Sequence, residues 1–201
     1  MYGWDLNAMT FHDPPATAAW RHRGARSGFE VVYFDAGDNG VNVDGSTTAA
    51  EDNDTWIVTY EIELDPTWTT RHARVVGRSA SGRRTTLIEA DGAGHWRVDG
   101  RAARHLDGCL DVDLESSAVT NALPVHRLGL AVGDHVAAPA AYVRALDLSV
   151  ERLEQRYARA PDEEGSQRYD YHAPAFDFAA VLVYDASGLI VEYPGIAVRA
   201  H

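Results

Sequence analysis

The stretch that decides the fold is Trp56–Asp65, WIVTYEIELD. Apolar side chains recur at every second position from Trp56 to Leu64, and Thr59, Glu61, Glu63 and Asp65 fall on the other face. A period of two is typical of a β-strand with one buried side and one solvent-facing side. The sequence therefore predicts a strand here, which Pro66 ends.

The segments downstream of this strand repeat the pattern with short connections between them. Arg71–Arg78 follows Pro66 closely, and the turn-forming run Ser79–Gly82 leads into Arg83–Ala90. A second turn, Asp91–Gly94, precedes the next apolar residues. Short links between strands produce hairpins, so the sequence predicts an antiparallel meander.

Other segments are assigned from composition and from their neighbours. Residues 1–27 are predicted to be irregular, with a leader over residues 1–19. Thr47–Asp54 is predicted to be a polar loop and Ala160–Gln167 an acidic loop. Val150–Arg159 fits either a helix or a strand, and we assign it to a strand because both neighbouring segments are strands.

The whole chain is predicted to be all-β with little helix. No break in composition marks a second domain, so a single domain is expected over residues 1–201. Ten or more strands make a sheet that should curl or close to protect its edges. A curled antiparallel sheet has a concave face, and this is where we expect a ligand.

Composition excludes several classes of function. The net charge is −12, which disfavours binding to nucleic acid. All 18 basic residues are arginine, so catalysis through a lysine Schiff base and the Walker lysine are excluded. The chain has no apolar run long enough to span a bilayer and no recognisable signal peptide, so we expect a cytoplasmic protein without stable membrane insertion.

The central stretch Gly108–Leu130 carries the most polar pattern. Its opening alternates apolar residues with Cys109, Asp111, Asp113 and Glu115. One interpretation is an edge strand with a solvated acidic face. The other is a polar strip that lines a groove, with directed hydrogen bonds from Thr120, Asn121 and Arg127.

Known catalytic and metal-binding motifs are absent from the sequence. It contains no G-x-S-x-G, H-E-x-x-H, C-x-x-C or G-x-G-x-x-G motif, so neither a metal site nor a cofactor is predicted. Glu61 with Asp65, or Asp111 with Asp113, could act as a carboxylate pair in acid–base chemistry. The same acids could instead form cross-strand ion pairs with arginines, the candidates being Arg71, Arg74 and Arg127.

The aromatic residues suggest the chemistry of a ligand. Trp68 lies in a connection between two strands, where a large aromatic side chain usually has a functional role. Trp96 and Tyr169 lie within or beside strands. Tryptophan and arginine beside a groove suit sugars and amphiphiles.

A set of short motifs is spread over nearly the whole chain. They are Tyr60-Glu61, Asp65, Trp68, Arg71, Asp91–Trp96, Leu106–Asp113, Thr120-Asn121, Leu123–Val125, Arg127-Leu128, Gln155–Tyr157, Tyr169–Tyr171, Asp185, Gly188-Leu189 and Tyr193-Pro194. Together these motifs resemble the bacterial family of putative glycolipid-binding proteins. The resemblance implies a curved antiparallel sheet similar to the incomplete barrels of lipoprotein-localisation carriers, which hold acyl chains in a concave face. One departure is the segment Ser117–Ala122, which lacks an aromatic residue of the family pattern.

Three hypotheses follow for the function. The first is a non-enzymatic protein that binds a small amphiphilic ligand, a lipid or glycolipid, in the concave face. The second is an enzyme that uses the same groove, with Glu61, Asp111 or Asp113 as a general base. The third is a module that binds another protein. The ligand-binding residues predicted for the first hypothesis are Glu61, Trp68, Arg71, Trp96, Asp111, Asp113, Thr120, Asn121, Arg127 and Tyr169.

Each hypothesis predicts a different structural feature. An apolar cavity that is open to solvent at one mouth would favour binding. A carboxylate with a raised pKa beside a small pocket would favour catalysis. A flat, exposed apolar patch would favour a partner-binding module.

Overall fold

The computed structural model describes residues 11–24 and 26–201. Residues 1–10 of the predicted leader lie outside the described residues. The prediction of an irregular segment to residue 27 is wrong in part, because the first strand spans Thr17–His22. Apolar residues alternate along this strand and face the interior, where Ala18 and Trp20 are fully buried.

Strands account for most of the described chain. Within it, the strands are β1 Thr17–His22, β2 Ser27–Gly37, β3 Gly40–Glu51, β4 Asp54–Leu64, β5 Thr70–Ser79, β6 Gly82–Ala90, β7 Trp96–Val98, β8 Arg101–Ala102, β9 Asp111–Leu114, β10 His135–Ala137, β11 Ala140–Val143, β12 Val150–Leu153, β13 Arg156–Glu163, β14 Ser166–Ala173, β15 Phe178–Tyr184, β16 Ile190–Tyr193 and β17 Ala197–Arg199. The helices are α1 Ala122–Leu128 and 3₁₀ turns at Arg104–Leu106, Val119–Asn121 and Pro174–Phe176.

One large antiparallel sheet organises these strands and confirms the predicted fold class. Its 14 strands follow the order β10-β13-β14-β15-β16-β17-β1-β2-β3-β4-β5-β6-β7-β8. The sheet is strongly curved but not closed into a barrel, because β10 and β8 remain as separate edges. The first described strand β1 pairs with the last strand β17, and this pair lies in the middle of the sheet.

A second, three-stranded sheet has the order β12-β11-β9. The predicted antiparallel meander is confirmed in the large sheet, where β4, β5, β6 and β7 pair in sequence. In the second sheet β9 and β11 are instead parallel, with Asp111 opposite Ala140. Parallel strands need a long crossover between them. The chain between β9 and β11 supplies it, and α1 lies in that connection.

The concave face of the large sheet is filled by an inner segment, which we define as residues 111–128. It comprises β9, the 3₁₀ turn Val119–Asn121 and α1. Leu114, Leu123 and Val125 from this segment join the same buried core as the inward-facing side chains of the large sheet. The core therefore lies between the sheet and the chain's own inner segment, and only part of the concave face remains open.

A buried carboxylate fastens the inner segment to the sheet. Glu30 on β2 is fully buried and accepts hydrogen bonds from the Tyr60 hydroxyl at 2.5 Å, from the Ala118 N–H at 2.7 Å and from the Ser117 hydroxyl. Burial raises the pKa of Glu30, and the hydrogen bonds oppose that effect. Removing one donor would leave this carboxylate less well satisfied in the interior.

Cross-strand pairing extends the strands beyond their predicted ends. The predicted loop at Thr47–Asp54 is wrong, since β3 continues to Glu51 and pairs along its length with both β2 and β4. The predicted loop at Ala160–Gln167 is likewise shortened, because β13 runs to Glu163. The strand assignment of Val150–Arg159 is confirmed by β12 and β13. No helix among the described residues is long and apolar enough to cross a membrane.

Candidate functional site

A cavity of about 180 Å³ lies between the inner segment and strands β14, β15 and β16 of the curved sheet, which we call the far arm. We call this space the interior cavity. Polar and apolar side chains line it together, which is typical of a site that fixes the orientation of a ligand with a few polar groups. Its lining residues are Arg26, Asp113, Leu114, Glu115, Ser117, Asn121, Tyr142, Leu153, Tyr171, Ala173, Phe176, Phe178, Tyr193 and Ile196.

Asp113 on β9 is the buried carboxyl group of this cavity. Its side chain accepts a hydrogen bond from the Thr120 hydroxyl at 2.8 Å, and Thr120 is itself buried. Burial is the largest cause that raises the pKa of Asp113 to about 6. The Thr120 hydrogen bond lowers the pKa, while the charges of Asp111 and Glu115 raise it further. The carboxyl group can therefore change its protonation state near neutral pH.

The predicted solvated acidic face is therefore wrong. Both Asp111 and Asp113 are buried, at 0% and 6% exposure. The interpretation of a polar strip facing a groove agrees better with the structure, because Asp113 and Asn121 both line the interior cavity. Asp111 does not line it and is held elsewhere by Arg127.

Tyrosine hydroxyls fix the polar wall around Asn121. The Tyr157 hydroxyl donates to the Asn121 side-chain oxygen at 2.9 Å, and the Tyr184 hydroxyl donates to the Asn121 carbonyl at 3.1 Å. Tyr171 donates to the Gln155 side-chain oxygen at 2.8 Å. These bonds hold the wall in one conformation before any ligand arrives, which reduces the entropic cost of binding.

The mouth of the interior cavity is aromatic. Phe176 is 43% exposed and follows β14 in the 3₁₀ turn that leads to Phe178 on β15. The Arg144 guanidinium lies 5.5 Å from the centre of the Phe176 ring and 5.3 Å from that of Tyr142. An exposed phenylalanine beside buried hydroxyl and carboxyl groups makes this opening amphipathic.

Arg26 marks one end of the same cavity. It donates to the Glu115 carbonyl at 2.8 Å and lies 3.4 Å from the Glu51 carboxylate. The guanidinium also packs over Trp56, with 5.3 Å between its central carbon and the ring centre. Its charge is thus largely compensated by groups of the protein.

The predicted pairing of Asp111 with Arg127 is present, although Arg127 comes from α1 and not from a neighbouring strand. The guanidinium binds both carboxylate oxygens, at 2.9 and 2.6 Å. A buried carboxylate with a bidentate partner is already satisfied. Burial still raises the pKa of Asp111, against the effect of Arg127. This pair holds α1 against β9 beside the interior cavity.

The structure does not bring the other predicted residues to this cavity. Glu61 is exposed on the outer face of β4 and pairs with Arg74 at 3.6 Å. Arg71 is also exposed and lies 3.6 Å from Asp65. Trp96 is buried, and its indole N–H donates to the Cys109 carbonyl at 2.8 Å. The predicted ion pairs of Arg71 with Asp65 and of Arg74 with Glu61 are thus found on the outer surface of the sheet.

Tyr169 belongs to the core of the far arm. It is 1% exposed, and its ring lies edge-on to Tyr184 with 5.3 Å between the ring centres. The Arg159 guanidinium packs over the Tyr169 ring at 5.1 Å. This residue supports the wall that carries Tyr171 and does not itself line the cavity.

Trp68 lines a different, outer pocket of about 870 Å³, together with Phe11, Phe34 and His126. Its ring stacks on His126 with 3.5 Å between ring centres and 7° between planes. The backbone of Trp68 has φ 63°, a left-handed conformation that is uncommon for a bulky residue. Burial lowers the pKa of His126 to about 4, so the stacked ring is neutral.

Sequence reasoning missed most of the cavity's aromatic wall and its arginine. Arg26, Tyr142, Tyr171, Phe176 and Tyr193 line the cavity but were not predicted as ligand-binding residues. The clustering of aromatic residues over Arg168–His172 and Phe176–Tyr184 was the available signal, but core packing explains such runs equally well.

Among the described residues, no group of three or more histidine, cysteine, aspartate or glutamate side chains is arranged to hold a metal ion. His95 contacts Asp91 at 2.8 Å, and His105 contacts the Val150 carbonyl at 3.1 Å.

An exposed apolar patch also exists on the outer face of β2, where Phe29 and Tyr33 are 50% and 61% exposed.

The fold and the cavity together define an all-β protein with a curved sheet and a partly filled concave face. The family described as "Putative glycolipid-binding" matches residues 17–199, and the chain belongs to this family. This confirms the resemblance seen in the sequence motifs.

Two solved structures are similar to this chain. A DUF1089 family protein from Pseudomonas aeruginosa is 28% identical, with a TM-score of 0.69 over 98% of this chain and 97% of that chain. A β-barrel-like protein of domain of unknown function DUF1849 from Brucella abortus is 10% identical, with a TM-score of 0.53 over 94% and 95% of the two chains, and shows the fold alone. No curated protein matches the sequence.

Proposed function

We propose that this protein binds an amphiphilic molecule, whose polar end enters the interior cavity while its apolar part lies against the aromatic mouth. The observation that carries the proposal is the position of Asp113, a desolvated carboxyl group in a cavity that opens beside Phe176. The membership of the family described as "Putative glycolipid-binding" supports the same class of ligand.

The size of the cavity limits what can enter it. A volume of about 180 Å³ is smaller than the roughly 300–1,000 Å³ of sites that enclose a drug-sized molecule. The inner segment occupies much of the concave face, so an acyl chain cannot lie along the whole sheet as in the expected open barrel. The ligand therefore places only its polar end inside.

Titration with octyl β-D-glucoside below its micelle concentration tests this proposal directly. Isothermal titration calorimetry should show one site per chain. The variant Asp113→Asn should bind octyl β-D-glucoside about tenfold more weakly, because the ligand loses one hydrogen bond to the Asp113 carboxylate. Glu61→Gln is the matched control, since it neutralises an exposed carboxylate on the outer face.

Two results would contradict the binding proposal. One is a calorimetric titration that shows no heat of binding, together with native mass spectrometry that finds no lipid bound to the protein purified from its own host. The other is equal weakening by Asp113→Asn and Glu61→Gln, which would show that net charge and not the cavity determines binding.

A second candidate function is catalysis with Asp113 as general base, and the raised pKa of Asp113 specifically favours it. A base with a pKa near the working pH exchanges protons efficiently with a bound substrate. Incubation of the protein with a small-molecule extract of its host in D₂O tests this function by mass spectrometry. Deuterium incorporation or a new product that appears with the unaltered protein and not with Asp113→Asn would establish turnover. Stoichiometric binding without either result would support the binding function only.

A further inference from the structure

Two buried polar side chains, His22 and Thr47, have no hydrogen-bond partner within the described part of the chain. Both ring nitrogens of His22 lack a partner, although the residue is only 6% exposed. Buried polar groups are almost always hydrogen-bonded, because an unsatisfied group loses its bonds to water without replacement. An unpaired imidazole in the interior therefore points to a partner that is not part of the protein.

His22 lies next to one end of the interior cavity. It is the last residue of β1 and stands opposite Ala197 of β17. The adjacent Arg23 donates its N–H to the Ile196 carbonyl at 2.8 Å. Ile196 and Arg26 line that end of the cavity. His22 itself does not line the cavity, so only a group that passes Arg26 or Ile196 can reach its ring.

The protonation state of His22 selects the kind of group it can bind. Burial, and after it the charge of Arg26, lowers the pKa of His22 to about 4, so the ring is neutral at pH 7. A neutral imidazole offers one N–H donor and one nitrogen acceptor. Hydroxyl groups can satisfy both ring nitrogens, whereas a carboxylate can bond only to the N–H and an ammonium group only to the acceptor nitrogen.

We propose that His22 is a further ligand-binding residue, and that a hydroxyl group at the polar end of the ligand reaches past Arg26 and Ile196 to hydrogen-bond with its imidazole. The inference rests on the proposed binding function and narrows the ligand to one with an uncharged, hydroxyl-rich polar end. Thr47 stands opposite Glu30 and Val58 in the sheet, neither of which lines the cavity, and it has no such role.

The variants His22→Leu and Thr47→Val form a matched pair, since each removes an unpaired buried polar group. In the ligand-free protein neither should lower the unfolding temperature, because no hydrogen bond is lost. His22→Leu should weaken binding of octyl β-D-glucoside about tenfold, and Thr47→Val should leave it unchanged. A clear drop in the unfolding temperature of ligand-free His22→Leu would show that a buried water satisfies the ring, and this would overturn the inference.

A measurement on the unaltered protein does not depend on whether His22→Leu folds. The ¹⁵N chemical shifts of the His22 ring should move when octyl β-D-glucoside saturates the site. Binding without any such shift, or with equal affinity in His22→Leu, would refute the role of His22 and leave the proposed function standing. An unaltered protein that binds no octyl β-D-glucoside would refute the proposed function and this inference together.

Discussion

At Asp113 the environment favours the protonated form of the carboxyl group in the folded state. Its pKa is raised to about 6, mainly by burial, against an ordinary value of 3.8 in the unfolded chain. Between these values the folded state holds a proton that the unfolded state has already lost. The stability that depends on this group is therefore fully present at pH below about 4 and is lost as the pH rises through about 6.

The variant Asp113→Asn should remove this pH dependence. The amide keeps an oxygen to accept the Thr120 hydrogen bond but carries no charge, so the variant should be more stable at pH 7 by about 1–3 kcal/mol. Urea unfolding from pH 4 to pH 7 measures the difference, with Glu61→Gln as a control that should follow the unaltered protein. A variant that is destabilised equally at pH 5 and pH 7 would show that Asp113 contributes by a structural contact and not by its charge.

The alternation at Asp111 and Asp113 shows what the sequence can and cannot tell at the scale of single residues. A period of two predicts correctly that both acids share a face of a strand. It does not predict that this face is buried, because burial depends on β11 and on the far arm of the sheet, which are distant in sequence. The pairing of Asp111 with Arg127 could be predicted as one option among several, since both residues lie in one polar stretch.

At the scale of elements, the hairpins from β4 to β6 were predictable, but the second half of β3 and the inner segment were not. β4 alternates strictly and short turns join it to β5 and β5 to β6, so local pattern determines them. α1 has only seven residues, Ala122–Leu128, and those at 122–125 are all buried. A helix of two turns shows too little periodicity to be recognised, and its buried first half shows no polar face.

Gly45 on β3 gives a test of how the inner segment is anchored. A Cβ atom at this position would lie 2.1 Å from the ring of Tyr60, whose hydroxyl donates to Glu30. Gly45→Ala should displace that ring and cost about 2–4 kcal/mol, from overpacking together with a lost hydrogen bond to a carboxylate. Gly37→Ala is the control in the same hairpin, because a Cβ there meets nothing within 4 Å. Equal stability of the two variants in urea unfolding would show that the Tyr60 contact is not needed to hold the segment.

On the scale of the whole molecule, the curved sheet remains open because β8 and β10 are both short and are not joined. Sequence pattern predicts that so many strands must curl, but it does not predict whether the edges meet, since β8 and β10 are distant in sequence and no local pattern relates them. β1 and β17 lie far from these edges, in the middle of the sheet, where they pair with each other. Protection should therefore be highest in β1 and β17 and lowest in β8 and β10.

Hydrogen–deuterium exchange measured by mass spectrometry tests this arrangement. Peptides from β1 and β17 should exchange slowest, because each strand is bonded on both sides and the Trp20 indole N–H adds a bond to the Ile190 carbonyl at 2.8 Å. Peptides that cover β8, Arg101–Ala102, and β10, His135–Ala137, should exchange fast, because one side of each edge strand is open to water. Slow exchange at both edges that persists on dilution would mean that they join within one molecule, and slow exchange that disappears on dilution would mean that a second copy covers them. Either result would contradict an open sheet in solution.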